Sequence, residues 1–354
     1  MSPAPSRPSL RPSLRRAVPA GLAVLALALA GCGQSDADAD TGASSGSAGS
    51  ETEGYPVTVD NCGIEVTLDS APERVVAIKS TSVELMLALG LGDNVVAHAF
   101  PDGPVPDEWA DAAAGITLLS EKAPSQEVVL EQEPDLVLAG WESNLAADTA
   151  GERDDLADLG VATYVSPAAC QEAPYAPDPM TFGLLFDQLE EAGAVLGAPE
   201  AAAELVADQR AELEGAGRAA DGTTALWWSS GTDTPFVGGG TGAPQMVMEA
   251  VGLDNVAGDV DQAWTSLGWE SVIEADPDVL VLVDADWNQA ATKIDFLESN
   301  AATKELTAVK EKRYLTVPMP AAEAGVRSVP AVLDLADQLG ALGLLAGDGE
   351  GDDG

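Results

Sequence analysis

Three cations and a set of indoles are the residues best placed to do chemistry in this chain. Lys79, Arg153 and Arg327 follow predicted strands in a sequence with only 16 basic residues against 59 acidic ones. Cations this scarce suit the anionic groups of a small molecule, because the general negative field repels an anion everywhere else. Of the seven tryptophans, Trp141, Trp228 and Trp287 sit in similar strand-exit segments, with Trp264 nearby. An indole offers flat apolar area and one donor, which is what a fused-ring guest needs. Ser80, Thr81, Asn144 and Ser230 add short polar groups at the same exits. Core packing for each Trp and surface pairing for each cation are the competing readings. Trp227 and Trp228 must face opposite sides of one strand, and Trp228 is taken as the inward one.

Other chemistries find little support. His98 is the only histidine, and no cysteine pair has metal-ligand spacing. It is expected to be a hydrogen-bonded core or cleft residue. Carboxylates abound without a partner base, so no enzyme and no cofactor is expected. The cluster Gly238-Gly239-Gly240-Thr241-Gly242 has backbone N–H groups for a phosphate, but it lacks the lysine of a P-loop, and a flexible turn explains it equally well. A formal charge of −43 excludes nucleic acid, whose phosphates need a basic footprint.

These exits require strands to leave. Val75–Ile78, Leu136–Ala139, Ala162–Val165, Thr224–Trp228, Val279–Val283 and Tyr314–Val317 are continuous apolar runs, as strands buried on both faces of a parallel sheet must be. Helical spacing alternates with them, giving an α/β fold. Phe182, Leu185, Phe186 and Leu189 form one helical stripe; Gly197-Ala198-Pro199 breaks it, and Pro199 opens a second helix. A helix crossing between lobes predicts small closure.

The first forty residues carry an address. Arg7, Arg11, Arg15 and Arg16 precede an apolar run from Ala17 to Ala30, too short to span a membrane comfortably and flanked as a secretory signal is. The run ends at Leu29-Ala30-Gly31-Cys32, followed by a Ser/Gly/Ala/Asp-rich tract with no capacity for a core. Residues 1–31 read as a signal peptide, 32–54 as a tether, 55–198 as a first lobe, 199–220 as a linker helix, 221–345 as a second lobe and 346–354 as a disordered tail. Export leaves Cys62 and Cys170 in an oxidising compartment, where a bridge is expected.

Self-similarity joins the two lobes. Glu127-Val-Val-Leu-Glu131-Gln-Glu-Pro134-Asp135 matches Glu270-Ser-Val-Ile-Glu274-Ala-Asp-Pro277-Asp278, and Met86–Val95 matches Met248–Val256. A spacing this large suggests two related domains rather than a solenoid. Glu127 and Glu270 then project from one face of both lobes, near a pseudo-two-fold axis.

With "TVDNCG", "APERVVAI", "PSQEVVLEQEPDLVLAGW" and "WESVIEADPDVLVLV" in order, roughly Tyr55 to Gly340 resembles the siderophore/cobalamin-type substrate-binding proteins of ABC importers. "LAGC" resembles a lipobox, which implies lipidation of Cys32 and anchorage to the outer face of the cell membrane. The resemblance implies two Rossmann-like lobes with parallel sheets joined by a long helix and a ligand cleft between them. It also implies a monomer whose partners are a small-molecule ligand and an ABC permease dimer with its ATPase, docked through Glu127 and Glu270. "SGTDTPFVGGGTGAPQMVMEAVGLDNVAG" and "YVSPAACQE" resemble more narrowly a branch proposed to bind the deazaflavin precursor of coenzyme F-420. Ferric-siderophore or corrinoid binding is the alternative; a sensor lipoprotein or an exported hydrolase is the alternative outside transport.

Overall fold

The computed structural model describes residues 54–347. The expected signal peptide, Cys32 and nearly all of the tether lie outside them, as does the tail from residue 348 onward.

The first lobe opens with a hairpin of β1 (Val57–Asn61) and β2 (Ile64–Leu68). There follow β3 (Val75–Ile78), α1 (Ser80–Ala88), β4 (Val95–Ala99), α2 (Ala110–Ala113), β5 (Thr117–Ser120), α3 (Gln126–Leu130), β6 (Leu136–Ala139), α4 (Arg153–Asp158) and β7 (Ala162–Val165). The five strands β5-β4-β3-β6-β7 form one parallel sheet. Every residue of β3 and β6 is buried, and adjacent positions serve opposite cores. Val75 and Ala77 pack on one face with Leu136 and Leu138, while Val76 and Ile78 pack on the other with Val137 and Ala139. This explains why the apolar runs are continuous rather than alternating.

Two helices follow, α5 (Phe182–Leu196) and α6 (Pro199–Glu214), and they lead to β8 (Thr224–Ser230), β9 (Phe236–Gly238), α7 (Ala243–Val251), β10 (Asp254–Asn255) and β11 (Trp264–Ser266). The chain ends with α8 (Trp269–Ala275), β12 (Val279–Asp284), α9 (Ala290–Ser299), α10 (Thr307–Lys310), β13 (Tyr314–Pro318) and α11 (Ser328–Ala341). The second sheet runs β11-β9-β8-β12-β13, with β10 beside β8. Its centre is parallel, as expected, but β9 and β11 join antiparallel at one edge.

Both α5 and α6 cross between the lobes, although α5 was expected to belong to the first lobe alone. Leu185, Phe186 and Leu189 lie in the second lobe's core, and Val195 and Leu196 in the first's. Gly197 turns the chain with φ +81°, a left-handed conformation that suits glycine. From there α6 returns, with Ala202 in the first core and Val206 in the second. Ala346, placed in the tail by sequence, still donates its N–H to Arg218 O at 2.8 Å.

The repeat has a structural purpose that its sequence did not disclose. The Asp135 carboxylate accepts the backbone N–H groups of Glu73 and Arg74 at 2.8–3.1 Å, just before β3. Asp278 accepts the N–H and hydroxyl of Thr224, at the start of β8, at 2.9 and 2.8 Å. Each Pro-Asp pair therefore follows a helix, and its aspartate clasps the neighbouring parallel strand.

Candidate functional site

Parallel sheets gather their loops at the carboxyl ends of the strands. In the first lobe, Lys79 directly follows β3, Phe100 follows β4, and Trp141 follows β6 by two residues. Lys79 and Phe100 adopt φ +81° and +54°, backbone conformations that are costly for residues with a Cβ. They hold three groups together. The Lys79 ammonium, fully buried, lies 3.5 Å from the Trp141 ring centroid and 4.5 Å from that of Phe100, and it pairs with Asp102. The Phe100 and Trp141 rings meet edge to face at 5.6 Å. Gly140 permits this approach, since a Cβ there would lie 2.7 Å from both Lys79 Cβ and Thr81 Oγ1.

The second lobe answers from one segment after β13. Arg327 donates to Glu84 of α1 through two nitrogens, at 2.9 and 2.6 Å, and to Pro104 O at 2.9 Å. Trp141 Nε1–H donates to Glu323 Oε1 at 2.8 Å. These contacts join the lobes across the cleft. Glu84 is buried, and desolvation raises its pKa to about 7 against the opposing pull of Arg327. Glu323 keeps part of its surface accessible, yet crowding desolvates it and its pKa also rises to about 7, with Lys79 acting in the other direction. Behind this cluster lies a small hollow of about 30 Å³, lined by residues including Thr81, Ser82, Ser166, Ala324 and Gly325. Thr81 Oγ1 is buried there without a hydrogen-bond partner among the described residues.

Of the residues chosen from sequence, Lys79, Ser80, Thr81, Trp141 and Arg327 come together at this cleft. Ser80 Oγ accepts the Asp102 N–H at 2.8 Å and so helps fix the carboxylate. Asn144 plays a supporting part, its Oδ1 accepting the Trp141 N–H at 3.0 Å. Lys79 and Arg327 are nevertheless not free cations, because Asp102 and Glu84 already match them.

The remaining candidates lie elsewhere. Arg153 is buried and donates to Asn61 and Thr163, tying the hairpin to β7. Trp228 is a core residue, packed on Trp269 at 5.2 Å and Phe296 at 5.9 Å, with Nε1–H donating to Ser230 O; Ser230 thus serves the strand end. Trp227 fills the opposite core, so neither face of β8 delivers an indole to the cleft. Trp264 stacks on Phe236 at 5.7 Å at the sheet edge, and Trp287 is 63% exposed on the loop after β12. His98 is half-buried on β4, where burial lowers its pKa, and it makes no side-chain hydrogen bond among the described residues. The glycine cluster is no phosphate cradle. Gly239 and Gly240 spend their N–H groups on Ala263 O and Val260 O, and a Cβ on either would lie 2.0–2.2 Å from a neighbouring carbonyl.

Cys62 and Cys170 are disulfide-bonded, joining the hairpin to the segment after β7. Glu127 and Glu270 are exposed in the first turns of α3 and α8. Each helix runs into the strand it precedes, so both first turns lie toward the strand carboxyl ends. Glu84, Asp102 and Glu323 escaped selection. Asp102 and Glu323 stand in the segments that leave the strands ending at Ala99 and Pro318, and Glu84 is the one charge within α1, but their pairings span up to 243 residues.

Two α/β lobes, crossed by helices and facing each other through their strand exits, define a bilobal substrate-binding protein. A family model described as periplasmic binding protein matches residues 75–321, and the chain belongs to that family. It is 25% identical over 301 residues to an uncharacterized ABC transporter substrate-binding lipoprotein of Bacillus subtilis, covering 82% of this chain and 88% of the relative. A cobalamin-binding protein of Halobacterium salinarum is 29% identical over 239 residues, covering 66% of this chain and 60% of that protein. Among solved structures, an ABC-type Fe3+-hydroxamate transport system protein from Saccharomonospora viridis is 29% identical with a TM-score of 0.68, covering 81% of this chain and 99% of that one. No helix among the described residues is long and apolar enough to cross a membrane.

Proposed function

We propose that this chain is the extracytoplasmic binding lipoprotein of an ABC importer and that it captures a ferric hydroxamate-type siderophore between its lobes. The carrying observation is the cleft where Trp141 and Lys79 of the first lobe meet Glu323 and Arg327 of the second. Its Phe100 and Trp141 rings, each partly accessible, offer contact area to the hydrocarbon linkers of such a complex. The Saccharomonospora protein named for Fe3+-hydroxamate transport supports the choice by nearly full-length likeness. A corrinoid is the second reading, favoured by the Halobacterium relative.

The deazaflavin precursor, with its phosphodiester and carboxylate, loses its main support. Lys79, Arg153 and Arg327, the cations chosen to receive it, are all engaged by groups of the protein. Delivery requires docking on a permease dimer powered by its ATPase, for which Glu127 and Glu270 are the candidate contacts. Cys32 is the candidate lipid anchor, and the protein is expected to act as a monomer without turnover.

Tryptophan fluorescence with a ferric trihydroxamate, cobalamin and the deazaflavin precursor tests the assignment. Saturable quenching by the trihydroxamate is expected. Response to the deazaflavin alone would overturn it.

A further inference from the structure

The charges in the cleft do not balance in pairs. Lys79 is matched by Asp102 and Arg327 by Glu84, which leaves Glu323 with the Trp141 indole N–H and no ion pair within 4.0 Å among the described residues. The groups acting on it electrostatically are Lys79, Asp102 and Glu84, so two of its three charged neighbours are themselves anionic. A carboxylate in such surroundings pays a desolvation penalty that a matching cation would offset. Unlike Glu84 and Asp102, which are buried, Glu323 remains partly accessible. The Trp141 ring that donates to it also joins Phe100 in holding the Lys79 ammonium, a surrounding that favours positive charge. The segment next to Glu323, at Ala324, Gly325 and Val326, lines the hollow of about 30 Å³ where the Thr81 hydroxyl is buried with no hydrogen-bond partner among the described residues. The formal charge of −43 further raises the local concentration of cations over anions.

We infer that Glu323 is the counter-ion for a positively charged group on the guest, so that the cleft selects a cationic ligand over its neutral analogue. This rests on the binding role proposed above and narrows the ligand by charge. A ferric trihydroxamate with a pendant primary amine meets the requirement; its N-acetylated form removes the charge and leaves the metal complex unchanged.

Titration of the full chain with these two complexes, followed by tryptophan fluorescence, provides the test. The wild type is expected to bind the amine form at least ~10-fold more tightly. Glu323→Gln should remove that preference by weakening the amine form alone, and Glu323→Asp, which keeps the charge, should retain part of it. Equal affinities in the wild type, or a preference that survives Glu323→Gln, would overturn the inference. Should neither complex bind, the hydroxamate assignment fails by itself. The charge inference is then decided with pentylammonium against pentanol: a Glu323-dependent preference for the ammonium supports it, and none refutes it. Melting of each variant separates loss of binding from loss of fold.

Discussion

The two lobes share a scaffold but divide the cleft unequally. Both place a Pro-Asp pair after a helix and use its aspartate to clasp the neighbouring strand, Asp135 at β3 and Asp278 at β8. The first lobe nevertheless sends Lys79, Glu84, Phe100, Asp102 and Trp141 to the cleft from three strand exits. The second sends Glu323 and Arg327 from one segment, while Trp227 and Trp228 fill its cores. The matched segments keep the groups that hold strands together, whereas the strand exits differ between the lobes. Fold and site therefore answer to different parts of the sequence.

Five experiments test that division, from the largest effect downward. The disulfide belongs to the first lobe only and closes 108 residues, so Cys62→Ser with Cys170→Ser should cost about 2–5 kcal/mol in urea unfolding. Arg327→Met removes the partner of buried Glu84 and should destabilise by roughly 3–5 kcal/mol if the carboxylate stays charged, less if it takes up a proton; calorimetry at pH 8 and pH 5 separates the two. Asp135→Ala and Asp278→Ala should cost similar amounts, about 1–3 kcal/mol each. A large inequality between them would break the structural equivalence of the repeats.

The fourth test concerns pH. Glu84 and Glu323 have folded pKa values of about 7, above the ordinary 4.5. Both groups bind protons more tightly in the folded protein. Their contribution to stability is thus fully present below about pH 4.5 and is lost as pH rises through about 7. The melting temperature should fall across that window, and Glu84→Gln or Glu323→Gln should each flatten the slope. The smallest structural effect is expected from charge reversal of Glu127 and Glu270 together, which should leave melting unchanged while weakening docking on the permease.

Most of the scaffold was legible because burial on both sheet faces writes itself as continuous apolar runs, as in Val279–Val283. The repeat was legible from Pro134-Asp135 and Pro277-Asp278, although the clasping role was not, since it depends on which strand lies next door. The cleft was half legible. Lys79 and Trp141 stand at recognisable strand exits, but their neutralising partners are distant in sequence. The Glu84–Arg327 pair spans 243 residues, and no local pattern announces it. Arg153 misled for the same reason, because Asn61, 92 residues away, occupies its guanidinium. The two indoles of β8 point to opposite faces as strand geometry requires, and a helix layer covers each face.

The central claim is that both lobes grip one guest. Hydrogen exchange with and without a ferric trihydroxamate tests it most directly. Protection is predicted at residues 79–82 and 141–144 of the first lobe together with 319–327 of the second. Protection confined to one lobe, or located away from these exits, would contradict it.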